Sequence, residues 1–114
     1  MDKSIEVKNM HEYNGPGIRI DRRTVLGNPF KVTKEMTGAE SIQRYRPWMI
    51  EQYASNAVYK AAIDDIVTKY AAGEAVILKC WCAPAPCHGD VIKAFVEELN
   101  MKSEKITQKG RRKP

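Results

Sequence analysis

Ala75-Val76-Ile77-Leu78-Lys79-Cys80-Trp81-Cys82-Ala83-Pro84-Ala85-Pro86-Cys87-His88-Gly89-Asp90 reads as a strand followed by a turn that opens a helix. Its first four residues are a continuous apolar run, as in a buried strand, and beyond it Val91, Ile92, Phe95, Val96 and Leu99 recur at helical spacing. All three cysteines and one of the two histidines fall in the turn. In an open α/β sheet ligands gather at the carboxyl ends of strands, where the next helix offers free N–H groups and partial positive charge. The turn is therefore the first candidate for a site.

Upstream, Ser4 to Asn9 alternates polar and apolar residues and predicts a strand, and Asn14-Gly15-Pro16-Gly17 is a strong turn signal before a second short strand at Ile18-Arg19-Ile20. Leu26-Gly27-Asn28-Pro29-Phe30 predicts a stiff loop. Pro29 biases Asn28 to an extended backbone, and Gly27 is free to take a positive φ, so the Asn28 amide should be held in one direction. Thr37-Gly38-Ala39-Glu40 fits a capping box, with Ile42, Tyr45, Met49 and Tyr53 on one helical face. Pro47 interrupts that face and predicts a kink or a fresh helix start. A second helix is expected from Asn56 to Ala72, with Val58, Ala62, Ile63, Ile66, Val67 and Tyr70 inward and Gly73 as its stop. This order predicts a small single-domain α/β sandwich whose sheet of three or four strands is covered by helices.

The chain has 114 residues, which bounds it to one modest core. No apolar run approaches the ~20 residues of a membrane span. Met1-Asp2-Lys3-Ser4 leads straight into a strand pattern without a signal-peptide core, so a cytoplasmic protein is expected, with no membrane partner. Clustered cysteines in odd number then suggest reduced thiols. The net charge of +5 lies entirely after residue 100, where six basic residues meet one acid. Residues 1–100 are read as the α/β domain and 101–114 as a basic, disordered tail. Lys109, Arg111, Arg112 and Lys113 are its candidates for salt-sensitive contacts with nucleic acid, against the plainer reading of a solubilising tail.

The cysteine turn admits two chemistries. Cys80, Cys82, Cys87 and His88 make a Cys₃His set suited to zinc, although one residue between the first two cysteines is unusual spacing. Alternatively, Cys87 and His88 form a reactive or ligand-binding turn, the thiolate favoured by the helix field and the imidazole serving as acid, base or phosphate donor. Asp90 would orient a histidine or a sugar hydroxyl, or simply complement the helix field. Trp81 is placed to stack on a ligand or to cover the core. Arg22, with Arg19 and Arg23, supplies guanidinium groups suited to phosphate beside the Asn28 loop. Burial alone is the plain reading of Cys80. The chain has no P-loop, dinucleotide fingerprint or His-Glu-x-x-His motif, which disfavours kinase, dehydrogenase and zinc-protease activity.

Leu26-Gly27-Asn28-Pro29-Phe30 together with Cys80-Trp81-Cys82-Ala83-Pro84-Ala85-Pro86-Cys87-His88-Gly89-Asp90-Val91 resembles domain of unknown function 4326, an uncharacterised family common in bacteriophages and bacteria. The resemblance covers about Ile5 to Leu99. It implies that Asn9, Arg22, Gly27, Asn28, Pro29, Phe30, Tyr45, Cys80, Cys82, Pro84, Cys87 and His88 are recurrent positions, and a glycine where this chain has Asp21. The expected function is binding of a nucleotide, nucleoside or nucleic acid at the Cys-His turn, through Asn9, Arg22, Gly27, Asn28 and Trp81. Cys87, His88 and Asp90 would act if a glycosidic bond is the target. The alternative is a non-catalytic module, with or without zinc, that binds a host protein or nucleic acid.

Overall fold

The computed structural model describes residues 3–81 and 87–111, with side chains described as far as residue 103. Three strands, β1 (Ser4–Asn9), β2 (Ile18–Arg19) and β3 (Ala75–Cys80), form one parallel sheet in the order β1-β3-β2. Three helices, α1 (Gly38–Ser55), α2 (Ala57–Ala71) and α3 (His88–Arg111), complete the fold.

The register puts Ile5, Val7 and Asn9 level with Val76, Leu78 and Cys80, and Ile18 level with Leu78. Alternate residues of a strand share a face. The sheet residues in the core, Ile5, Ile20, Val76, Leu78 and Cys80, all fall on this one face and pack with Tyr45, Met49, Tyr59, Ile63, Ile66, Ile92, Phe95 and Val96 of the helices. The sandwich therefore has two layers, with all three helices on one side. Residues 10–17 cross the opposite side, where Lys79 Nζ donates to the Gly15 carbonyl at 3.1 Å. So short a link between parallel strands is feasible because β2 enters opposite Leu78, only two residues back from the end of β1.

Thr37 caps α1 as expected, accepting from Glu40 N at 3.2 Å, and Gly73 takes φ 84° after α2. Two helix expectations need amending. α1 continues through Pro47 with no fresh start there; the proline lies on the exposed side while buried Tyr45 and Met49 hold the helix to the core around it, and water can meet the carbonyl that the proline leaves free. Val58 is 67% exposed, because the Asn56 cap sets a phase in which Tyr59, Ile63 and Ile66 form the buried stripe. In α3 the last buried residue among those whose side chains are described is Asn100. The helical backbone nevertheless continues to Arg111, since extending a formed helix fixes few further degrees of freedom per bond gained. Arg112 and Lys113 lie outside the described residues.

Candidate functional site

The chain leaving β2 turns sharply at Asp21 to Phe30. Thr24 N and Gly27 N donate to the Asp21 and Thr24 carbonyls at 2.9 and 3.1 Å. Gly27 does not have a positive φ, which among the described residues only Gly73 adopts. Its role is close approach: a Cβ there would lie 2.5 Å from Arg22 Cα and 2.6 Å from the Asp21 carbonyl oxygen. Asn28 fixes the loop with both ends of its amide. Oδ1 accepts from Phe30 N at 2.9 Å and Nδ2 donates to Ser41 Oγ at 2.9 Å, while Ser41 donates onward to the Phe30 carbonyl. The Asn28 side chain is thus spent on architecture, and its backbone carbonyl accepts from Arg22 Nε at 3.1 Å, which aims the guanidinium.

At the other loop, Cys87 does the work of a helix cap. Its sulfur accepts from Gly89 N at 3.1 Å, and Asp90 Oδ2 accepts from Cys87 N at 3.1 Å, a capping box with cysteine in the place usually held by serine or threonine. Asp90 N donates to the Cys87 carbonyl at 3.0 Å. At this helix start the amides of Cys87, Gly89 and Asp90 are engaged within the turn and are not offered to a ligand. Gly89 allows the close seating of α3, since a Cβ would come within 2.8 Å of Val7 Cγ1 and 2.9 Å of Ile20 Cδ1.

His88 is buried, with Nε2 2.6 Å from the Ile20 carbonyl and its ring 5.0 Å from that of Tyr45. A carbonyl only accepts, so Nε2 carries the proton and Nδ1 holds the lone pair in the neutral ring. Burial pushes the imidazole below its ordinary value of 6.5. The bond to Ile20 and the carboxylates of Asp21 and Asp90 oppose that shift, and the Arg22 charge reinforces it. As pH falls below about 6.5 the unfolded chain takes up a proton that the folded ring refuses, so stability should fall, by at most about 1.4 kcal/mol per pH unit for one proton. The loss ends below the folded-state value. Urea midpoints measured between about pH 7 and pH 5 should show this slope for the wild type and a weaker one for His88→Gln, with equal slopes refuting it.

Asp21 stands where the family resemblance implies glycine, and it organises the adjoining wall. It is buried and accepts from Arg19 Nη2 at 2.5 Å and from Trp81 Nε1 at 3.2 Å. The Arg19 guanidinium holds its carboxyl below the usual range, with help from Trp81 and against the cost of burial. Trp81 is 48% exposed, with the His11 ring 4.7 Å away, edge-on. Asn9 Nδ2 donates to the Trp81 carbonyl at 3.1 Å, so Asn9 steadies the tryptophan from outside the pocket.

Arg22, Asn28, Cys80, Trp81, Cys87 and His88 line one pocket of about 200 Å³ at the carboxyl edge of the sheet. The two loops singled out in the sequence do converge. Asp21 and Ser41 join them, and neither had a signal that sequence reading could weigh, one being a departure from the resemblance and the other a routine helix serine. Gly27 lines a neighbouring hollow, and Asp90 is absent from both linings. Cys80 and Cys87 are buried with their sulfurs 3.5 Å apart. Cys82 lies outside the described residues, and among the described residues no three His, Cys, Asp or Glu side chains are grouped to hold a metal.

The fold and pocket define a two-layer, all-parallel α/β domain with a cleft where its central strand hands over to a helix. The chain belongs to the family described as Domain of unknown function (DUF4326), which it matches over residues 5–98. No curated protein and no solved structure matches it.

Proposed function

We propose that the protein binds a nucleotide or nucleoside in this pocket, and the observation that carries the reading is the joint lining by Arg22, Trp81, Asp21 and His88. Pockets for small ligands are mostly apolar with a few placed polar groups. Here the guanidinium suits a phosphate, the indole suits a base, and the carboxylate and imidazole suit sugar hydroxyls. With the amides of Cys87, Gly89 and Asp90 engaged, the phosphate depends on Arg22.

The same groups suit cleavage at an N-glycosidic bond. Water would attack the anomeric carbon and the base would leave with the bonding electrons. Nδ1 of the neutral His88 would take the proton from water and release it to the departing base, while the ionised Asp21 offsets positive charge on the sugar. In this reading Asp21 replaces Asp90 as the working carboxylate, and Cys87 positions His88. Lys109, Arg111, Arg112 and Lys113 would add salt-dependent phosphate contacts if the ligand is the end of a nucleic acid.

Calorimetric titration with nucleoside monophosphates tests the binding. Arg22→Ala should weaken it about tenfold or more, as expected for loss of a charge-assisted contact. Asp21→Asn should leave binding nearly intact and abolish release of free base, read by chromatography. An Arg22→Ala variant with unchanged affinity would refute the reading. Binding without base release in the wild type would reduce it to a non-catalytic module.

A further inference from the structure

A second hollow of about 330 Å³ adjoins the first and shares Arg22 and Asn28 with it. Thr24, Val25, Lys31 and Trp48 form its remaining sides, with Gly27 and Pro29. Arg22 therefore stands between two lobes, its Nε tied to the Asn28 carbonyl at 3.1 Å. Each lobe has one tryptophan. Trp81 lines the first and Trp48 the second, where Trp48 is set by Phe30 at 6.3 Å and Tyr45 at 5.4 Å between ring centroids.

Charge divides the lobes. The first contains the buried Asp21 carboxylate, already paired with Arg19 and Trp81, so beyond Arg22 it offers a phosphate no net positive charge and suits a neutral sugar or base. The second contains Lys31 besides Arg22 and no carboxylate. Size gives the same division, because the first lobe alone is below the ~300–1,000 Å³ usual for a whole ligand, and the two together are within that range. Resting on the nucleotide reading above, we infer that the ligand is a pair of nucleosides joined through phosphate, with the bridge on Arg22 and one nucleoside in each lobe. This chemistry occurs both in dinucleotides bridged by diphosphate and in adjacent residues of a nucleic-acid strand.

Calorimetry with three all-adenosine probes tests it: adenosine 5′-monophosphate, adenylyl-(3′→5′)-adenosine, and P¹,P²-diadenosine diphosphate. At least one bridged probe should bind about tenfold or more tighter than the monophosphate, the gain expected from one further stacked base. The tighter of the two identifies the source, a nucleic-acid strand or a dinucleotide. Val25→Gln, a neutral change at a position 36% exposed in the second lobe, should bring the ratio of bridged-probe to monophosphate affinity down toward one. Equal affinity for all three probes would overturn the two-lobed ligand and leave the nucleotide reading standing, and so would a Val25→Gln variant that keeps the wild-type ratio. Failure of every probe to bind would overturn both.

Discussion

Gly27→Ala will destabilise the protein by about 2–3 kcal/mol, the upper part of the range for overpacking, and will weaken ligand binding with it. The added Cβ meets Arg22 Cα at 2.5 Å, the Asp21 carbonyl oxygen at 2.6 Å and Arg22 N at 2.9 Å. These are backbone atoms, so no rotamer change relieves the contact and the turn itself must open. That turn positions Asp21, Arg22 and Asn28 together. Gly89→Ala should cost less, because its Cβ meets the tips of Val7 and Ile20, which can shift. Gly38→Ala, with nothing within 4 Å of the new carbon, should stay within about 0.5 kcal/mol of wild type. Urea midpoints at constant m-value give this ranking. A Gly27→Ala variant no less stable than Gly38→Ala would show that the loop tolerates a wider turn.

What was legible in the sequence was local. The run Ala75–Leu78 followed by apolar residues at helical spacing gave strand, turn and helix because period and burial are written into consecutive side chains. Thr37 with Glu40, and Gly73 after α2, were legible for the same reason: a cap is satisfied within one turn. Pro47 starts no new helix because it lies on the side that faces water, and Val58 misled because the cap at Asn56 sets the phase of the buried stripe. The candidate site divides in the same way. Residues that carry chemistry were found by type, and Arg22, Asn28, Trp81, Cys87 and His88 do meet. Which of their atoms are spent on the fold could not be read, because that depends on partners far along the chain. Asn28 is consumed by Phe30 and Ser41, and Trp81 is turned by Asp21, sixty residues away. Asp21 itself read as a defect in a motif, whereas Arg19 and the indole make it a stable buried carboxylate.

The hydroxyl pair of Tyr45 and Tyr59 should respond asymmetrically to removal. Tyr45 donates to the Leu26 carbonyl at 2.7 Å, and its oxygen lies 2.7 Å from that of Tyr59. Since Tyr45 has one proton and gives it to Leu26, Tyr59 must be the donor between them. Both rings are fully buried, and burial pushes the Tyr59 phenol up to about 12 and the Tyr45 phenol further. Neither ionises in the working range. Tyr45→Phe strands two buried groups, the Leu26 carbonyl and the Tyr59 hydroxyl, and should cost about 2–3 kcal/mol. Tyr59→Phe leaves the Tyr45 bond to Leu26 intact and should cost nearer 1 kcal/mol, about the net worth of one bond. In the double variant the Tyr59 hydroxyl is no longer left stranded, so the combined loss should fall short of the sum of the single losses by about 0.5 kcal/mol or more. Because Leu26 belongs to the turn that carries Arg22 and Asn28, Tyr45→Phe should also weaken nucleotide binding, and Tyr59→Phe should not. Equal single losses that simply add would mean that the two hydroxyls do not form this chain, and that the tie between α1 and the Asn28 loop lies elsewhere.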